Sequence, residues 1–434
     1  MQRIRRFLAS SGEALTERDF RLYWIGQSGS AIGDSLVGVA LAFAVIGIGG
    51  SGSDLGLVFA AFAVPRVVFT LAGGVWADRL PRKRVMVACD LVRAAAQAVM
   101  STLLISGSAE VGHLIGFAVV MGSASAFFTP AAVGLMPQIV STGRVQQANA
   151  LVSISSSAAH IFGPALSGFI VLSYGAGWVF AIDGASFLVS AGFLMAMRVQ
   201  PGEVAERRSF ISELADGWRE VVSRSWVVAC IATFSLSNFS LAAFQVLGPL
   251  IANDKLGGAA AWGLIAAGAS VGGIVGGAVA LRWKPRRPLI PAFLVMVAAQ
   301  VELLLLIPPF APLIIAAGAC VTIAAIVISN TLWDTMIQQH IPPTAISRVS
   351  GYDWMFSLVF QPLAFAAVGP VSESIGIAET LLVCTAIGVA ANSLVLAVPS
   401  VRNLRRLEDR NVTQPMRAAA GAAEPTEPPL PTAT

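Results

Sequence analysis

Apolar residues run along this chain in stretches of roughly twenty or more, interrupted by short polar or Gly/Pro breaks, from position 21 to position 398. A helix of about 20 such residues, rising ~1.5 Å each, covers a ~30 Å hydrocarbon core. The breaks predict spanning helices over 21–47, 55–77, 84–106, 112–136, 147–173 and 178–198. Six more follow over 226–251, 260–281, 289–308, 312–336, 351–372 and 376–398. Segment 199–225 alternates charges with Phe210, Leu214, Trp218, Val221 and Val222 at helical spacing, which predicts an amphipathic surface helix joining two six-helix bundles, 21–198 and 226–398. Residues 1–20 form a terminal segment, and 399–434, rich in Ala, Pro and Thr toward the end, read as a disordered tail.

Composition supports lipid as the solvent. Hydrophobic residues make up 56% and charged residues 12%, so a water-facing surface could not be covered with polar groups. That excludes an ordinary soluble enzyme. Arg3, Arg5 and Arg6 are followed by only three apolar residues before Ser10, so no cleavable leader is read and the first span is expected to direct insertion. Cys89, Cys230, Cys320 and Cys384 each stand alone in apolar surroundings, without metal or redox spacing, and read as small core residues. No cofactor or metal is expected.

The net charge of +4 is explained by where the cations fall. With both termini cytoplasmic, 25 of the 28 Lys and Arg lie on cytoplasmic segments, only Lys255 lies on an outer loop, and Arg66 and Arg93 lie within spans. This predicts a multi-pass protein of the cytoplasmic membrane, and no nucleic-acid partner is needed to account for the basic pI.

The two halves repeat. Gly73-Gly74 and the basic loop after span two recur as Gly276-Gly277 and Arg282 to Arg287 after span eight, at an offset of 203, while Gln138 and Gln339 lie 201 apart. An internal duplication of about 202 residues in a transporter places the substrate site between the repeats, near the bilayer midplane.

Gly74, Asp78, Arg79, Arg82 and Lys83 match G-x-x-x-D-R-x-x-R-[KR] between spans two and three, and here the chain resembles the major facilitator superfamily from Phe20 to Pro399. Gly163-Pro164 and Gly168 in span five are similar to an element of its proton-driven exporters. Gly33-Asp34, Phe128-Thr129-Pro130-Ala131, Ala148-Asn149-Ala150 and Gln338 to Pro342 resemble its macrolide and siderophore efflux branch. The resemblance implies an all-α membrane fold of twelve helices in two pseudo-symmetric six-helix bundles, alternating access, export of a small apolar molecule such as an antibiotic or other natural product, proton antiport and a monomer. Siderophore export and nutrient import through the same fold are the alternatives. Better-studied drug–proton antiporters carry an arginine inside span four, whereas Phe117 to Phe128 holds none, so their proton relay does not transfer directly.

Several residues carry candidate chemistry. The Asp78 to Arg84 turn reads as a conformational latch or as a positive-inside anchor. Ser350 to Asp353 resembles a capping box at the start of span eleven, which would set Asp353 against Arg79 or Arg82 in the outward-open state. Asp34 stands 13 residues above Arg21 (~20 Å) and Arg66 12 residues above Asp78 (~18 Å), at matching depth, which reads as a proton-sensitive or a static pair. Asp90 and Arg93 can satisfy each other locally, and Asp183 and Glu302 fall on spans that this fold makes mostly peripheral, where a packing role is expected. His160 is a candidate proton relay or a buried polar residue, and Gly163, Pro164 and Gly168 form a hinge. The cavity helices that this fold implies, one, four, seven and ten, offer Gln27, Ser30, Phe127, Phe128, Phe234, Asn238, Gln245, Asn330 and Trp333, a weakly charged wall suited to bulky apolar molecules.

Rival classes fail on residues. None of Lys83, Lys255 and Lys284 precedes Ser or Thr, so the chain holds no P-loop for an ATP-driven pump. Gly33-Asp34 and Tyr352-Asp353 imitate an intramembrane aspartyl protease, but position 31 is Ala31, the order is reversed and Asp353 lies at the membrane edge.

Overall fold

The computed structural model describes residues 14–77, 80–199, 218–342 and 345–407. The chain forms twelve long helices. In the first half these are α1 (Arg18–Gly47), α2 (Gly52–Ala77), α3 (Arg82–Ile105), α4 (Val111–Ile139), α5 (Val145–Tyr174) and α6 (Ala176–Ala196). The second half holds α7 (Ser225–Ile251), α8 (Ala259–Arg282), α9 (Leu289–Ala299, continued as Val301–Leu304), α10 (Pro312–His340), α11 (Ile346–Ile375) and α12 (Ile377–Leu394). Each spans where an apolar run was read. In lipid the backbone must satisfy its own polar groups, which leaves helix as the form for such runs.

Helix ends follow local chemistry. Ser51 N–H donates to Asp54 Oδ2 at 2.8 Å while Asp54 N–H donates to Ser51 Oγ at 3.3 Å, a reciprocal cap on α2. A single glycine separates α5 from α6 and another separates α11 from α12: Gly175 and Gly376 hold φ of 88° and 102°, a region open to glycine because it lacks a Cβ. They lie 201 positions apart, so the duplication includes these junctions.

The packing repeats as well. In the first half α1 lies against α5 and α6, α2 against α4, and α3 against α6; in the second, α7 lies against α11 and α12, α8 against α10, and α9 against α12. Gly268, Gly272 and Gly276 of α8 face backbone carbonyls of Ala316, Cys320 and Ala324 on α10 with no room for a methyl group, the close approach that small residues permit.

Three boundaries differ from the sequence reading. Span nine is interrupted at Gln300, whose N–H bonds to Val297 O at 3.2 Å in a tighter turn. Helix α11 begins at Ile346, not near Gly351, so Asp353 lies about two turns inside it and is no capping residue. The tail is bound down as far as Leu407, where Leu407 N–H donates to Gln339 Oε1 at 3.0 Å and Arg406 N–H to Arg286 O at 2.9 Å; residues 408–434 lie outside the described residues. Most of the linker, 200–217, also lies outside them. Its described end seats Trp218 against Tyr352 and Phe356 at ring separations of 5.7 and 5.5 Å.

The halves meet at the end away from the basic loops. There α2 packs on α11 and α5 on α8. Gly56 abuts Phe365 O, Gly369 abuts Gly52 and Ser53, Gly168 abuts Ala259 O, and Gly263 abuts Pro164 O, so glycine brings two backbones together at each seam. Phe59 and Phe365 pack across the α2–α11 seam at 5.4 Å between ring centroids.

A buried carboxylate cluster around Arg93

Asp90, Arg93 and Gln97 occupy one face of α3 at i, i+3 and i+7, and Asp183 and Ser190 occupy one face of α6 at i and i+7, so packing α3 on α6 brings the two polar stripes together. Ser190 Oγ donates to Asp90 Oδ2 at 2.7 Å, and Gln27 Nε2 of α1 donates to Ser190 Oγ at 3.0 Å. The Gln97 amide donates to Asp183 Oδ2. Ser186 Oγ donates to Asp183 O at 2.8 Å and lies 3.2 Å from Asp183 Oδ1. On the other side Asp183 rests against Gly33 of α1, where a methyl group would overlap Asp183 Oδ1 and Ser186 Oγ.

Arg93 is the cation of this cluster. It lies 4.0 Å from Asp90, donates to Ser125 Oγ of α4 at 3.1 Å, and stacks its guanidinium over Phe128 at 4.5 Å and Phe187 at 5.3 Å. Asp90 and Asp183 are fully buried and Arg93 is 4% exposed. Asp34, the neighbour of Gly33, is exposed, with Arg93 and His160 as its electrostatic neighbours. Two buried carboxylates thus face one guanidinium, with Asp34 at the edge of the same cluster. Asp90 Oδ1, Arg93 Nε and Gln97 Oε1 have no hydrogen-bond partner among the described residues, so the cluster holds two unfilled acceptors and one unfilled donor.

The Asp34–Arg66 pairing inferred from depth joins two helices that are not main packing partners. Helix α1 packs on α5 and α6 while α2 packs on α4 and α11, and Arg66 stands at an exposed position. Depth along a helix says nothing about which neighbour a side chain faces. Asp90 and Arg93 do approach each other as their spacing suggested, and Asp183, expected to serve packing, is part of the polar cluster. The arginine missing from span four is supplied by α3, lying against Ser125 and Phe128 of α4.

The remaining predicted positions fall in different places. Gly163 abuts Ser35 of α1, Pro164 O abuts Gly263, and Gly168 abuts Ala259, so the element expected as a hinge also forms a contact surface within a continuous helix. His160 O accepts Ser270 Oγ of α8 at 2.5 Å. In the basic turn, Arg82 donates to Gly134 O of α4, and Lys83 Nζ donates to Met195 O at 2.9 Å and Met197 O at 2.7 Å beside α6. Gly74 lies in the last turn of α2, whereas Asp78 and Arg79 lie outside the described residues. Asp353 accepts Trp333 Nε1–H at 2.8 Å.

Among the candidate cavity residues, Ser30 and Trp333 are buried at 4% and 3% exposure, and neither presents a surface to a ligand in this conformation. Phe234 is stacked between Phe293 and Trp333, Phe127 lies against Phe69, and Phe128 lies under Arg93. Gln27 is engaged by Ser190, Asn238 and Gln245 are half-buried, and Asn330 is exposed. Side chains read as cavity lining are largely committed to packing within each half.

Glu17, just before α1, shows how the basic end is stitched. Burial pushes its carboxyl up, but hydrogen bonds from the Ser141 hydroxyl and N–H, with Arg144 alongside at 3.3 Å, outweigh this and hold it below the usual carboxylate range.

Comparison with known proteins fits this architecture. The profile of the Major Facilitator Superfamily matches residues 23–365, and the chain belongs to that family of transporters. It is 26% identical over 402 residues to the MFS-type transporter YfiS of Bacillus subtilis, covering 88% of this chain and 93% of that one. It is 22% identical to macrolide efflux protein A of Streptococcus pyogenes, covering 90% and 97%. In structure it is similar to the nucleoside transporter NupG, with a TM-score of 0.69 at 13% identity over 88% of this chain and 98% of that one, which is a likeness of fold.

Proposed function

We propose that this protein exports a small, largely apolar molecule across the cytoplasmic membrane in exchange for protons, with Asp34, Asp90, Asp183 and Arg93 handling the proton. The observation that carries this reading is the excess of carboxylates over cations in the interior of one half. Two buried carboxylates facing one guanidinium, with Asp34 close by, leave net negative charge in a poorly solvating medium, and a bound proton relieves it. Asp34 is the member exposed to solvent and so the point of exchange. Similarity to a macrolide efflux protein supports the direction and the apolar substrate class.

With the basic loops on the cytoplasmic side, the glycine seams of α2–α11 and α5–α8 close the outer end, and the conformation is inward-facing. Asp34 adjoins Ser35, Ser35 touches Gly163, and the next residue, Pro164, presents its carbonyl to Gly263 across the α5–α8 seam. A change of charge at Asp34 therefore reaches the outer closure through two contacts. Proton uptake from the outer side would loosen the Arg93 attraction and release to the cytoplasm would restore it, biasing a two-state seam in the manner that antiport requires.

Orientation is tested with cytoplasm-active reporters fused after Arg208 or Thr434, where signal is expected, and after Asp54, where signal would reverse the map. Coupling is tested by accumulation of a fluorescent apolar substrate in energised cells, with and without a protonophore. Asp34→Asn is expected to abolish uphill efflux while retaining substrate binding and downhill exchange. Protonophore-sensitive efflux by this variant at the wild-type rate would remove Asp34 from the mechanism.

A further inference from the structure

The second half holds its own buried polar site, and it is not a copy of the first. Gln97 packs on Gly184 between α3 and α6, and Gln300, 203 positions later, packs on Gly388 between α9 and α12. Where the first half has Asp183 beside its glycine, the second has Ile387; its carboxylate is Glu302, on the short continuation of α9. Glu302 is 4% exposed and Gln300 6%.

A small cavity of about 20 Å³ adjoins the interruption of α9, lined on its polar side by Ser237, Ser240, Gln300, Glu302 and Thr322. That is room for one water-sized species. Most hydrogens of the neutral lining groups are directed to backbone carbonyls. Ser237 Oγ donates to Thr233 O at 2.9 Å, Ser240 Oγ to Cys384 O at 3.0 Å, Thr322 Oγ1 to Ala299 O at 2.7 Å, and Gln300 Nε2 to Met296 O at 3.2 Å. Ser237 Oγ also accepts Asn392 Nδ2 at 2.9 Å. Gln300 Oε1 is buried without a hydrogen-bond partner, beside Ser240 Oγ at the space left by Gly388. The cavity wall therefore offers chiefly oxygen lone pairs and one carboxylate, beside which the Thr322 hydroxyl lies.

We propose that this cavity is a binding site for a single sodium ion, held by Glu302, Gln300 Oε1 and the hydroxyl oxygens of Ser240 and Thr322, with Ser237 at its edge. Hard oxygen donors suit a group-one or group-two cation. One carboxylate balances a single positive charge, whereas a divalent ion would leave charge uncompensated in the interior. The small volume favours sodium over potassium. The break in α9 belongs to the same design, since irregular backbone within a membrane is tolerated where it lines a cavity, and interrupted helices are where transporters hold ions. The site lies away from the Arg93 cluster and does not depend on proton antiport.

The test is thermal unfolding of the purified full-length protein in detergent, in NaCl, KCl and choline chloride at equal ionic strength, together with equilibrium binding of radiolabelled sodium. Sodium alone is expected to raise Tm by at least about 2 °C and to bind near one ion per chain. Both effects are expected to vanish in Glu302→Gln, and in Gly388→Ala, whose methyl group would overlap Gln300 Oε1. Should Glu302→Gln fail to accumulate, Thr322→Val and Gly388→Ala carry the test. Equal Tm in sodium and choline for the wild type, or an undiminished sodium shift in the folded variants, would overturn the proposal and leave the cavity to water and a proton on Glu302.

Discussion

Glu373, at the end of α11, accepts the backbone N–H of Ser53 in the first turn of α2 at 3.1 Å, so a carboxylate of one half caps a helix of the other. The first N–H groups of a helix lack internal partners and carry partial positive charge, which suits an anion there. This bond exists only while the α2–α11 seam is closed.

Glu373→Gln should therefore weaken that closure without disturbing either half. Spin labels at Ser108→Cys and Asn253→Cys, both exposed positions near that end of the protein, should report a larger population at long separation in the variant. An unchanged distance distribution would show that the cap contributes nothing to the balance of states.

The glycine seams predict a steric counterpart. Gly263→Val places carbon where Pro164 O and the Gly168 Cα now lie, and α5 meets it with backbone atoms that cannot yield as a flexible side chain would. The same label pair should separate, and downhill exchange should slow, because the closed outer state is needed once per cycle.

Arg93 supports a stability prediction. Removing a buried cation from among carboxylates costs about 3–5 kcal/mol, so Arg93→Gln should sharply reduce membrane abundance. Adding Asp90→Asn removes one of the stranded charges and should restore part of that abundance, measured as a double-mutant cycle of unfolding in detergent. Full additivity would mean that the two side chains do not interact.

At Glu17 the prediction is one of pH. A carboxyl held below its ordinary range contributes stability that is present at neutral pH and lost only as pH falls through its lowered value. Hydrogen exchange of the 14–17 and 141–144 segments should stay slow through the usual carboxylate range and rise at more acid pH. Glu17→Gln should exchange faster at neutral pH and lose that dependence.

Much of the architecture was legible because lipid imposes it. A run of apolar residues long enough to cross a membrane has one backbone solution, so the twelve spans follow from pattern alone, and the duplication read from Gly73 and Gly276 recurs in the helix junctions at Gly175 and Gly376. The resemblance also picked out Gly163, Pro164 and Gly168, although their use as a packing surface was not visible. Depth was readable too, since each helical residue rises by ~1.5 Å. Which face a residue turns toward, and which helix meets that face, was not. Asp34 and Arg66 share a depth, yet the helices that carry them pack chiefly on other partners, α1 on α5 and α6 and α2 on α4 and α11. Asp90, Arg93 and Gln97 formed a readable stripe, as did Asp183 and Ser190, but only the packing of α3 on α6 made one site of them. The break at Gln300 left no mark in hydropathy. It arises where side chains of Thr322 and Gln300 take the carbonyls of Ala299 and Met296, and the donor from Thr322 comes from a helix that only the folded bundle brings alongside.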